Sequence, residues 1–279
     1  MIIRIGDLQF GGDSKYQIEP GISGLSSAAI RNGDGVYSGV DGAYMSSQLY
    51  GARTIVFTGF YIGNSCEETD ELRRKLTSNL RIRVLYPIFI QTFSQRNYYT
   101  EGYLTDIKAD IEGNRAGEFQ ITMFCPDPYI YDGGDGTSTD SAWIEQPFYK
   151  VQSGGFKIQY PTPVPWSEGQ QFTYINNNGT VPVYPIINLT GNFTSTITIR
   201  NVTTGKFMSL GYGISSGSII IDMKERIITY NGTSIASYRS VDSTWWALEP
   251  GENRVILETG SSTNTNYGMI RFQQGYEGI

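Results

Sequence analysis

The chain contains no histidine. That removes Ser-His-Asp and Cys-His catalysis, together with the commonest zinc ligand. It has two cysteines, Cys66 and Cys125, too few for a four-cysteine metal site. We read them as free thiols, which fits a reducing compartment; one disulfide is the alternative. Charge is scarce as well. Charged residues make up 17% of the chain, against roughly 25% in an ordinary globular protein. The net charge is −6, with no block of one sign. No basic face is offered to phosphates, so nucleic acid is not expected as a partner. No apolar run reaches the length of a membrane span, and no membrane is expected either. The opening MIIRIGDLQF alternates like a strand and lacks the apolar core and small-residue cleavage site of a signal peptide. The expectation is a protein made, and first used, in a cytoplasm.

Phosphate-binding text is missing too: there is no GxxxxGK[ST] and no credible GxGxxG, so no cofactor is expected. Gly33-Asp34-Gly35 and Gly134-Asp135-Gly136 look like fragments of calcium loops. Each lacks the further spaced acids and the closing Glu, and both are read as turns rather than metal sites. Paired acids for sugar hydrolysis exist on paper, Asp222 with Glu225 and Glu249 with Glu252, but acids in turns are ordinary. Five Asn-x-Thr sequons, at Asn178, Asn188, Asn192, Asn201 and Asn231, are by-products of a Thr- and Asn-rich β composition. No catalytic residue is assigned, and the protein is not expected to be an enzyme.

What is abundant points to sheets. The chain carries 33 Gly and 20 Tyr in 279 residues, with Thr, Ile and Val plentiful. Tyr, Thr, Ile and Val suit a pleated, half-buried surface, and Gly suits tight turns. The length is about twice that of a typical domain, which predicts two. We place them at 1–132 and 133–279, divided at the polar stretch GGDGTSTDS.

The first half opens with a strand over Ile3, Ile5 and Leu8 that pivots at Gly6-Asp7. The stretch from Gly11 to Gly51 is rich in Gly, Ser and Asp and too poor in apolar residues for a core of its own. Loops beyond about 12–15 residues are uncommon unless they have a job. We read this one as extended arms that find their partners outside the subunit. Residues 53–62, RTIVFTGFYI, form a strand with apolar positions dense enough to predict that both faces are covered. Residues 65–80, SCEETDELRRKLTSNL, form the one convincing helix. Ser65 and Glu68 make a capping box, the acids crowd its start, and Thr69, Leu72, Leu76 and Leu80 make a narrow stripe. Strands follow at 81–86 and 88–93, parted by Pro87, and then a hairpin of 98–111 with 117–124. Pro126 and Pro128 end this unit because they cannot donate to a ladder. Tyr129 and Tyr131 pin the exit with their hydroxyls near water.

The second half reads as β throughout. Its candidate strands are 156–160, 171–174, 184–190, 196–201, 207–210, 218–222, 226–230, 246–248, 253–258 and 268–273. Turns recur at short intervals, as in a β-sandwich. Trp143, Trp166, Trp245 and Trp246 suit either a core or stacking on sugar rings. For adjacent Trp245 and Trp246, strand alternation predicts one ring in and one out.

Three stretches together resemble the distal tail proteins of long, flexible-tailed bacteriophages. The first is YGARTIVFTG (50–59) with Glu71, Leu72, Arg73 and Leu76 of the helix. The second, and most specific, is FQITMFCPDPYIY (119–131). The third is NNGTVPVYPIINLTG (177–191) followed by IRNVTTG (199–205), Ile221-Asp222 and LEPGEN (248–253). The order is right and nearly the whole chain is covered. The resemblance implies a mainly β protein: an N-terminal α+β ring-forming domain, a β-sandwich with one helix and extended arms or hairpin, then a C-terminal galectin-like β-sandwich. It implies a homohexameric ring at the tail tip or baseplate of a virion, single or paired back to back. The ring would join the major tail tube protein to a tail-associated lysin or central fibre and anchor receptor-binding proteins. Within the arm, Arg31, Tyr37, Tyr44 and Tyr50 are the expected inter-subunit contacts. The competing reading is a carbohydrate-binding tail module that attaches the phage to the host wall, with Trp245 and Trp246 as its contacts.

Overall fold

The computed structural model describes residues 1–111, 113, 115–133, 144–149, 173–193, 196–259 and 267–279. The chain divides into two compact units, Met1–Ala142 with Gly275–Ile279, and Trp143–Gln274.

The first unit contains β1 (Ile2–Ile5), β2 (Leu8–Phe10), β3 (Tyr16–Ile18), β4 (Ile30–Val36), β5 (Ala43–Tyr50), β6 (Arg53–Ile62), α1 (Cys66–Asn79), β7 (Leu85–Gln91), β8 (Asn97–Ile111), β9 (Ala116–Cys125) and β10 (Ile130–Asp132). The pivot at Gly6 is a tight hairpin turn, with Gly6 in the left-handed region (φ 56°), so that β1 and β2 pair directly. One sheet runs in the order β2-β1-β7-β8-β9-β6-β3, with β10 added beside β8. Its two edges approach each other: the Gly11 amide donates to Tyr16 O at 2.7 Å, and the Phe10 and Tyr16 rings lie 5.6 Å apart. The curled sheet encloses an aromatic centre of Phe10, Tyr16, Phe57, Tyr61 and Phe119, all buried. Neighbouring rings there meet tilted or edge-on at 5.2–6.3 Å, the arrangement their quadrupoles favour.

Helix α1 covers this centre. Ser65 Oγ accepts from the Glu68 amide at 3.2 Å, and the Glu68 carboxylate accepts from the Asn64 amide at 2.6 Å. The carboxylate therefore reaches one residue further back than a regular capping box. Thr69, Leu76 and Leu80 are buried and Leu72 packs against them, as the stripe predicts.

Two strand readings need correction. Residues 85–91 form one strand that runs through Pro87. Its ladder with β1 stops at Ile88, so β1 turns away one residue before the proline, which lacks a donor. Strand β6 alternates strictly between a buried face and a half-buried or exposed one, so only one face is fully covered.

The second unit contains β11 (Ile144–Tyr149), β12 (Thr173–Asn177), β13 (Ile186–Thr190), β14 (Ile197–Asn201), β15 (Lys206–Leu210), β16 (Ser218–Asp222), β17 (Ile227–Tyr230), β18 (Thr233–Ser234), β19 (Gly251–Thr259) and β20 (Tyr267–Phe272). They form a six-stranded sheet, β11-β20-β13-β16-β17-β18, and a four-stranded sheet, β12-β19-β14-β15. Each buries alternate residues: Ile187, Leu189, Ile219, Ile221 and Ile270 from one, Ile175, Ile197, Ile199, Val255 and Leu257 from the other. This is the sandwich that the even turn spacing predicts. Residues 246–248 are not a strand; Leu248 makes a single bridge to Val183. The candidate strand at 156–160 and the residues Trp143 and Trp166 lie outside the described residues. A last strand, β21 (Gly275–Tyr276), pairs with β10 and belongs to the first unit.

Candidate assembly surface

Among the described residues, strands β4 and β5 pair only with each other, as a two-stranded ribbon separate from the larger sheet. Almost every side chain on it is exposed. Val36 is 80% exposed and Val40 71%, and Ile30, Met45 and Leu49 are each more than half exposed. An isolated hairpin with no buried face is marginal in water, and clustered exposed apolar side chains are a common feature of interaction surfaces. The ribbon is the later part of the Gly11–Gly51 arm of the sequence reading; the earlier part is corrected, since β3 pairs with β6 and Tyr16, Leu25 and Ala28 are buried within the first unit. Gly33, Asp34 and Gly35, read there as a turn, lie inside β4 at a β-bulge, and Tyr44 lies across Gly35 where a Cβ would stand 2.6 Å from its hydroxyl.

Of the four arm residues singled out, Tyr37 and Tyr44 meet near the tip with ring centroids 5.5 Å apart. Arg31 is exposed on the shaft, paired in register with Leu49. Tyr50 is at the root. Its ring meets Tyr129 edge-on at 6.1 Å, and its hydroxyl donates to the Glu277 carboxylate, which raises the phenol pKa above its ordinary value.

Below that root is a residue whose part sequence reasoning missed. Arg53 is fully buried. Its Nε donates to Pro128 O at 2.9 Å, Nη1 to Gly24 O and Nη2 to Glu277 O. The planar fork thus ties three distant segments through backbone acceptors. Burial pulls the guanidinium pKa down, while the neighbouring Cys125 and Asp127 act against that. Cys125 pairs with Arg53 across β6 and β9 and is buried, which pushes its thiol up to about 11; Cys66 is exposed, and both are free.

The proline segment after β9 does not simply leave. Asp127 accepts from the Tyr129 amide at 3.0 Å and from the Tyr131 hydroxyl at 2.8 Å, so the chain turns back to add β10 beside β8. The Tyr131 hydroxyl is therefore held by a carboxylate and not left near water; burial first, and the Asp127 charge second, raise its pKa.

In the second unit three buried asparagines do similar work. Asn253 Oδ1 accepts from the Glu249 amide at 3.0 Å, and its Nδ2 donates to Glu249 O and Gly251 O. Asn201 Nδ2 donates to Asn253 Oδ1 at 3.1 Å, and its Oδ1 accepts from the Thr203 and Thr204 amides. Asn177 donates to Val181 O and Leu248 O. These are the asparagines of NNGT, NVTTG and LEPGEN. Their amides satisfy turn backbone that would otherwise be buried without partners.

Trp246 is 0% exposed. A buried ring has no free face for a sugar, so the saccharide-contact reading of Trp246 is corrected. Trp245 is half-buried, with the Arg239 guanidinium 5.8 Å above its ring. Asp222 caps its own turn, accepting from the Lys224 and Glu225 amides at 2.9 Å, and Glu252 pairs with Arg254 at 3.3 Å. One acid of each pair is thereby engaged, Asp222 in its turn and Glu252 with Arg254. Among the described residues, no three His, Cys, Asp or Glu side chains are grouped to hold a metal ion.

Residues 178–276 match the family of the siphovirus-type tail component, C-terminal domain. Over 255 residues the chain is 24% identical to the distal tail protein of Bacillus phage SPP1, covering 89% of this chain and 88% of that one. The fold agrees: the crystal structure of the SPP1 distal tail protein superposes with a TM-score of 0.69 at 17% identity, over 98% of both chains. The resemblance to siphophage distal tail proteins therefore holds. A chain of the phage P2 baseplate in its activated conformation with Ca is more distant, with a TM-score of 0.44 at 14% identity over 93% and 91% of the two chains. The distal tail protein likeness gives the three motifs a physical meaning. The first two meet at Arg53 and Pro128, and the third supplies the asparagine amides.

Proposed function

We propose that this chain is a structural subunit of a siphophage tail tip: a distal tail protein that assembles as a hexameric ring hub. The ring joins the tail tube to the lysin or central fibre and offers its rim to receptor-binding proteins. Assembly takes place in the host cytoplasm before the virion is released. The observation that carries this reading is the likeness to the SPP1 distal tail protein, nearly end to end in sequence and in fold. That protein is described as a hub of the adsorption apparatus in phages that infect Gram-positive bacteria. The exposed β4–β5 ribbon supports it from within the chain. A ring subunit needs an element that is completed by its neighbour, and the ribbon has apolar side chains and no core of its own. Arg31, Tyr37, Tyr44 and Tyr50 are the contacts proposed for that neighbour.

The test is the mass of the purified chain by light scattering over a range of concentration, with negative-stain electron microscopy of the same sample. A six-fold ring is expected. A strict monomer at every concentration, which stays monomeric when tail tube protein is added, overturns the reading.

A further inference from the structure

The segment Gly275–Ile279 pairs with a strand far back in the sequence, since β21 joins Ile130 to Tyr276 and Tyr131 to Gly275, which are 146 and 144 residues apart. Its seating is unusually specific. Glu277 O takes one arm of the buried Arg53 guanidinium. The Ile279 amide donates to Leu25 O at 3.0 Å. Gly278 is pressed so close to the backbone that a Cβ there would lie 1.6 Å from Ser26 O. The Tyr276 ring meets Tyr98 at 90° and 5.7 Å. The Glu277 carboxylate takes the Tyr50 hydroxyl.

These contacts converge on the two ends of the ribbon. Leu25 and Ser26 lead into β4, and Tyr50 ends β5. Two further contacts at the root are the Gly51 amide donating to Ala29 O at 2.6 Å and the Tyr50 ring meeting Tyr129. One guanidinium serves Gly24, Pro128 and Glu277 together. Removing the Glu277 carbonyl leaves a buried N–H without an acceptor and frees the fork to shift, which weakens its hold on the other two segments. The chain reaches this segment only two residues after β20, which pairs with β11 and β13 in the second unit's larger sheet.

We propose that Gly275–Ile279 is a latch that sets the root of the β4–β5 ribbon, so that the arm is held ready for assembly only after β20 has been made. Its role in assembly rests on the proposed ring; the latch itself rests on the Arg53 contacts.

Hydrogen exchange by mass spectrometry on the full chain tests it, comparing wild type with Gly278→Ala. The expected result is exchange about tenfold faster, the factor for loss of roughly one net hydrogen bond to a charged group, in peptides covering 24–30, 49–53 and 128–132. Peptides of β13 and of the β6–β9 ladder from Ile55 to Ile62 and from Ala116 to Met123 should be unchanged. Unchanged exchange at 24–30 and 49–53 overturns the latch, and so does equal acceleration throughout the first unit. Should Gly278→Ala not fold, Glu277→Ala keeps the backbone acceptor and alters an exposed side chain. It should loosen 49–51 alone, and no change there overturns the link to the ribbon. Light scattering of the same samples separates the two readings. A wild-type monomer removes the ring but leaves the latch to be judged by exchange. A loosened root with undiminished ring formation removes the assembly role of the latch.

Discussion

Arg53 and Pro128 are 75 residues apart in sequence and are joined by one hydrogen bond, from Nε to the proline carbonyl at 2.9 Å. The carbonyl belongs to a residue that has no amide donor of its own, and the guanidinium to a residue with no exposed surface. Through this contact the strand that begins at Arg53 and the proline turn that follows Cys125 become one structural node.

Arg53→Met should remove all three backbone contacts while keeping most of the volume. Three carbonyls would be left short of a donor, and the expected loss is about 3 kcal/mol of unfolding free energy. Arg53→Lys should recover only part of it, because one ammonium cannot span the fork. Urea titration followed by tyrosine fluorescence measures both.

Asn253→Ala should destabilise the second unit by about 2–3 kcal/mol, since the Glu249 and Gly251 backbone and the Asn201 amide all lose a partner. Asn253→Asp should not restore it, because a carboxylate cannot donate to Glu249 O. Differential scanning calorimetry that resolves the two units is the measurement.

Replacing Tyr44, Met45 and Leu49 together by Ser should leave the stability of the monomer within about 0.5 kcal/mol, because these side chains are exposed. Ring formation should be lost. A triple variant that still assembles would place the inter-subunit contact elsewhere.

Alkali should unfold the protein early. The Tyr16 phenol is pushed up from 10.0 to about 12, first by burial and then by Tyr61, and the Cys125 thiol from 9.0 to about 11 by burial. Both favour the neutral form in the fold. Their contribution is therefore complete below pH 9.0 and is lost as pH rises through about 12. Melting temperature should be flat from pH 7 to about 9 and fall above it. In the same preparation a thiol reagent at neutral pH should modify exposed Cys66 at once and buried Cys125 only on unfolding.

Much of the fold was legible because local chemistry and long-range packing agree in it. The helix was readable from Ser65, Glu68 and the Thr69–Leu72–Leu76–Leu80 stripe, each of which answers to neighbours three or four residues away. The β8–β9 hairpin and most strands of the second unit were readable from alternation between turns. The misread places are those where a strand obeys its neighbours rather than its own text. Pro87 looks like a break, yet it sits where β1 has already departed. Gly33-Asp34-Gly35 looks like a turn, yet Tyr44 covers it from the opposite strand. Residues 246–248 alternate like a strand, but the buried asparagines hold that chain as an irregular turn.

Composition and motif order by themselves determined the class: mainly β, two units, a tail-protein text and an arm without a core. These follow from the abundance of Gly, Tyr, Thr, Ile and Val, the length of 279 residues, the order of the motifs and the spacing of apolar residues. Only the tertiary structure decided that the motif residues Arg53, Asp127, Asn177, Asn201 and Asn253 serve the backbone rather than a ligand, and that Gly275–Ile279 returns to the first unit. The physical reason is that a side chain bound to a carbonyl 75 or 224 residues away leaves no period or spacing in the text. Its partner has no side-chain identity to read, because every backbone carbonyl is the same.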